Sequence, residues 1–182
     1  MDMRNGESFP PTCGGASIRP DNRKTPMNPP IRKALEELSA VGWRCAFHTQ
    51  KGLPEELLAR YPWLPGDVTE TLAELQEAVH PDDTLWLLTA ADYRSEGDAE
   101  FAWNEWEVLS VEAASPDEAW MAEIRTFWDG HFPVALSVGD GYGYYAVTRD
   151  GAVVFGEEPE FEDTVPFAGS YGEFIARLSS MG

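Results

Sequence analysis

The chain has 182 residues, 43% of them hydrophobic and 12% aromatic, with 13 Lys and Arg against 32 Asp and Glu. That length suits one domain, and so apolar a composition excludes an acidic disordered tail. The formal charge of −19, with a pI near 4.3, excludes direct nucleic-acid binding and attachment to anionic lipid; it favours a basic protein partner, or serves solubility alone.

Residues 1–26, "MDMRNGESFPPTCGGASIRPDNRKTP", hold four Pro, three Gly and no apolar periodicity. They are expected to be a disordered extension, with residues 27–182 as the folded domain. The basic-then-apolar build of a secretory signal is missing, and no apolar run approaches the roughly 20 residues of a membrane span. Cys13 and Cys45 fit no metal or redox spacing and are read as free thiols. A cytoplasmic location is the expectation.

In "NPPIRKALEELSAVG", Asn28 is the expected N-cap, Pro29 opens a helix, Ile31, Leu35 and Leu38 form its apolar stripe, and Gly42 stops it. A short helix follows in "LPEELLARYP", bounded by Pro54 and Pro62. "DVTETLAELQEAVHP" is predicted as one helix, with an Asp67–Glu70 capping pattern and Val68, Leu72, Leu75 and Val79 on one face. "TLWLLTA" predicts a buried strand, and "RSEGDAEF" a loop. In "NEWEVLSVEA", the alternation of Trp106, Val108 and Ser110 predicts another strand. "SPDEAWMAEIRTFWDG" predicts a helix capped by Ser115 and Glu118 and ended at Asp129-Gly130.

The last third predicts strands in "FPVALSV", "GYYAVT" and "AVVF", with Asp150-Gly151 as a hairpin turn, and a final helix capped by Ser170 and Glu173. Helices followed by strands, a helix, strands and a helix give an α+β fold on a mostly antiparallel sheet.

Candidate chemistry is sparse. "SVGDGYGYYAV" spaces its glycines G-x-G-x-G before a strand, not G-x-G-x-x-G before a helix, and Asp140 would oppose a phosphate. It is therefore read as a turn whose glycines supply unusual φ values. "AGSYG" resembles a nucleophile elbow around Ser170, but His48, His80 and His131 all precede it, so Ser170 is read as a cap. The histidines stand apart, and the acidic runs lack calcium-loop spacing. No catalytic residue, cofactor or metal is expected. Trp103, Trp106, Trp120 and Trp128 are read as core, although an exposed Trp would be a binding anchor.

The expected partner-binding residues are Glu157, Glu158, Glu160, Glu162 and Asp163, with Phe161 among them and Asp140 and Tyr142 in the Gly turn. Five carboxylates in seven residues repel one another. Phe161 is either an apolar anchor inside that acidic rim or a core residue beneath a solvated loop.

The succession "FPVALSVGDGYGYYAVTRDGAVVF", acidic spacer, "AGSYGEFIARL" resembles the second half of the SUKH superfamily, the Smi/Knr-like domain. The matching positions are Phe132, Pro133, Val134, Gly139, Gly141, Gly143, Tyr144, Gly151, Val153, Ser170, Phe174 and Leu178. Leu53 and Pro54 match the family's Leu-Pro helix, whereas "WLPGD" stands where an Asn-Gly pair is usual. The resemblance implies a non-enzymatic α+β binding domain, in bacteria an immunity protein that neutralises a cognate toxin, often a nuclease or deaminase. A basic toxin suits the acidic charge. A DNA-mimic inhibitor, and a module binding a small molecule or peptide in the Gly-turn cleft with Tyr142, Tyr144 and Tyr145, remain open from the sequence.

Overall fold

The computed structural model describes residues 25–49, 52–94 and 102–180. Most of the 1–26 extension and the predicted loop at 95–101 lie outside the described residues. Met27 is already core: its side chain is buried, and its N–H donates to Glu74 Oε1 at 2.8 Å.

Pro29 fixes φ for the first turn of α1 (Pro29–Ala40), which buries Ile31, Leu35 and Leu38 at helical spacing. Asn28 precedes it but makes no side-chain cap. β1 (Arg44–Phe47) follows, then α2 (Glu55–Arg60) behind Pro54.

The single helix predicted from Asp67 onward is two elements, α3 (Gly66–Leu72) and β2 (Leu75–Val79). Val68, Leu72, Leu75 and Val79 are all buried as expected. A spacing of four keeps Leu75 and Val79 on one side of a strand as well as of a helix, and burial of Ala78 beside Val79 erases the alternation that would have marked a strand.

β3 (Leu85–Leu87) and the short α4 (Ala90–Tyr93) come next. The strand predicted in "NEWEVLSVEA" is instead α5 (Glu105–Ala114). Its buried residues, Trp106, Ser110 and Ala114, recur every four positions, and Val108 faces outward. α6 (Glu118–Trp128) is capped by Asp117, which accepts N–H bonds from Ala119 at 3.0 Å and Trp120 at 3.1 Å; Ser115 instead ends α5.

β4 (His131–Ser137), β5 (Gly143–Thr148) and β6 (Val153–Glu157) form where the sequence places them. Gly151 takes the left-handed φ of +84° in the β5–β6 turn. An additional strand, β7 (Val165–Ala168), pairs with β6 at the sheet edge, where Pro166 is tolerated. α7 (Tyr171–Leu178) closes the chain; Ser170 Oγ accepts the Glu173 N–H at 3.1 Å, and Glu173 accepts from Gly169 N–H.

The seven strands form one antiparallel sheet in chain order, and the domain is α+β. Neighbouring residues of β5 point to opposite faces. Tyr144 meets Trp106 and Trp128 from α5 and α6 on one face, and Tyr145 meets Phe174 of α7 on the other. Both faces are therefore core, each fully buried ring contributing about 2–3 kcal/mol. No described helix is long and apolar enough to cross a membrane.

Candidate protein-interaction site

The acidic segment leaves β6 at Glu157, closes one turn within itself and is pinned to the rest of the fold at three points. Glu158 N–H donates to the Tyr142 carbonyl at 3.0 Å, and Asp163 N–H to the Glu160 carbonyl at 2.9 Å. Tyr144 donates its hydroxyl to the Phe161 carbonyl at 2.6 Å, and Trp128 its indole N–H to Glu162 Oε1 at 2.9 Å. Burial, with the nearby Glu162 carboxylate second, pushes the Tyr144 phenol far above its ordinary range, so it stays a donor.

These bonds turn Phe161 inward. Its ring is only 6% exposed and lies near Tyr142 and Tyr144. Phe161 as a partner-facing anchor is thus overturned: its carbonyl is held by a buried tyrosine, and its ring follows into the core. Tyr142 is also committed. It stacks on Trp106 and donates to Glu105 Oε2 at 3.0 Å.

The exposed aromatic beside this loop is Trp120, at 52% exposure. Trp120, Ile124 and Trp128 follow one another at i, i+4 and i+8 on α6. Trp128 and Ile124 are buried, but the same stripe continues past its cover and leaves Trp120 in solvent. There it borders a cleft of about 410 Å³ between α5, α6 and the acidic loop, lined also by Ile124, Pro159, Glu160, Glu162 and Asp163. Trp120 is therefore not the core residue that the sequence suggests; the signal for its exposure is its place at the N-terminal end of the stripe, one turn after the Asp117 cap.

The eight expected binding residues therefore do not form one site. Glu160, Glu162 and Asp163 gather around the Trp120 cleft, with exposed Glu158 beside them in the chain. Asp140 and Glu157 line a separate cavity on the Tyr145 face. Phe161 and Tyr142 support the loop from within.

Among the described residues no three His, Cys, Asp or Glu side chains gather as metal ligands. His131 bonds the Phe127 carbonyl through Nδ1 at 2.8 Å and stacks on the Phe127 ring. Burial lowers its pKa, with the Phe127 bond opposing. The glycines of the β4–β5 turn do not supply the unusual φ values expected of them. Neither Gly141 nor Gly143 has a left-handed φ; Gly143 is required because a Cβ there would stand 2.7 Å from the Gly156 carbonyl, whereas at Gly141 it would meet Glu157 Oε2 at an ordinary 3.5 Å.

No family model, curated protein or solved structure matches the chain.

Proposed function

We propose that this chain is a non-enzymatic binding domain of the SUKH type, an immunity protein that neutralises a basic toxin, of nuclease or deaminase class, by covering its nucleic-acid surface. The observation that carries the reading is Trp120. It is a large apolar side chain left 52% exposed at a cleft walled by Glu160, Glu162 and Asp163, on a chain of charge −19. A Trp anchor in a desolvating cleft supplies affinity, and the surrounding carboxylates steer a cationic partner and raise its on-rate. The SUKH resemblance, from the β4 strand through the Gly turn and hairpin to the Ser170-capped helix, supports the same class. No catalytic step, cofactor or metal is invoked.

Inhibition of the cognate toxin is the test. An equimolar amount of the chain abolishes toxin activity, and Trp120→Ala needs a large excess to do so. Full inhibition by Trp120→Ala at equimolar ratio rules out this face, and no inhibition by the native chain rules out the reading.

A further inference from the structure

The Gly turn between β4 and β5 and the turn between β2 and β3 enclose a cavity of about 510 Å³, on the opposite sheet face from Tyr144 and its helices. That volume lies within the range of small-ligand sites. Trp43, Tyr145 and Phe155 supply aromatic wall, and Asp140 and Glu157 supply carboxylates. Lacking a side chain at 143, the strand lets the Phe155 ring and Glu157 stem pack against it, where a Cβ would sit 3.1 Å from each.

The electrostatics point to the guest. No Lys or Arg lines the cavity. Among the described residues, Asp140 and Glu157 take part in no ion pair, and the nearest strand cation, Arg44, is already held by Glu77 and Asp83. His80 also lines the wall. Its Nδ1 accepts the Asp82 N–H at 3.2 Å and lies 3.2 Å from Thr84 Oγ1. Two unpaired carboxylates therefore share a partly enclosed space with three aromatic side chains. An anion is repelled there, and a divalent metal finds too few ligands. A planar organic cation satisfies both wall types: a guanidinium bonds carboxylates bidentately and lies against aromatic surface.

We infer that this cavity is a binding site for an alkyl guanidinium group, the chemistry of an arginine side chain. It is separate from the Trp120 surface, so either can fail without the other. The test is NMR titration with agmatine in 150 mM NaCl, reading the Trp43 indole resonance, with uncharged n-butylurea as control. The expected result is saturable binding that shifts Trp43, at least about tenfold tighter than n-butylurea, a factor equal to about 1.4 kcal/mol. The exposed pair Asp140→Asn with Glu157→Gln removes it, and Trp120→Ala retains it. A blocked Gly-Arg-Gly tripeptide that binds as well as agmatine assigns the guest to a protein side chain, and a tripeptide that fails where agmatine binds assigns it to a free small molecule. Equal affinity for n-butylurea, an unmoved Trp43 resonance, or undiminished binding by the folded double variant overturns the inference.

Discussion

Phe161 lies within the acidic loop and Trp120 beside it, yet the first is 6% exposed and the second 52%. Phe161 is surrounded in sequence by carboxylates and is buried; Trp120 belongs to an amphipathic helix and is not. What separates them is tertiary. A buried tyrosine holds the Phe161 carbonyl, drawing its ring inward, while the stripe bearing Trp120 runs one turn beyond the surface that covers it. An acidic loop thus advertises a surface without identifying the side chain that anchors a partner there.

Stability separates the two side chains most strongly. Phe161→Ala destabilises the fold by about 3 kcal/mol through lost burial and a residual cavity, whereas Trp120→Ala changes stability by about 0.5 kcal/mol or less. Denaturant unfolding of both variants checks this; similar losses erase the distinction.

The same contrast holds for two glycines two positions apart. Gly143→Ala costs about 1–3 kcal/mol, because its new Cβ meets backbone, and Gly141→Ala stays near neutral because only a flexible carboxylate lies nearby. Thermal midpoints of the two variants check this prediction. Equal losses would mean that turn conformation, not close approach, sets the requirement.

Two glutamates sharpen it further. Glu162→Ala strands the Trp128 indole N–H and costs about 1–2 kcal/mol, while Glu160→Ala is neutral to folding within about 0.5 kcal/mol. In binding, Glu160→Lys slows association and flattens its salt dependence. Unfolding curves and stopped-flow association at two salt concentrations separate the two roles.

The smallest effect is that of His131. Its folded pKa is lowered by burial, so below the unfolded value of about 6.5 the unfolded chain takes up a proton that the native one resists. Its contribution is therefore present above pH 6.5 and is lost as pH falls toward the folded pKa. A His131→Gln variant lacks that component, and the two stability profiles diverge in slope only below about pH 6.5.

The β4–β6 strands and α7 were legible because local chemistry decides them: Asp150-Gly151 forces a hairpin, and Ser170 caps a helix. β2 and α5 were not. Leu75 and Val79 fit either period, and the alternation in Trp106, Val108 and Ser110 hid a spacing of four between Trp106 and Ser110 that their burial reveals. Composition marked the acidic loop as a surface. It could not show that Glu157 turns to one sheet face and Glu160 to Asp163 toward the other, because strand register and the pins at Tyr142, Tyr144 and Trp128 set that division.

In the proposed complex Trp120 and its acidic rim hold a basic protein. The most direct test is the affinity of that partner, the basic toxin inhibited by the native chain, for native protein, Trp120→Ala and Phe161→Ala at a temperature where all three are folded. The expected result is that Trp120→Ala weakens binding by about 2 kcal/mol, near thirtyfold, mainly through faster dissociation, while Phe161→Ala binds almost as the native chain does. Native-like affinity in Trp120→Ala, with the loss falling on Phe161→Ala, would contradict it.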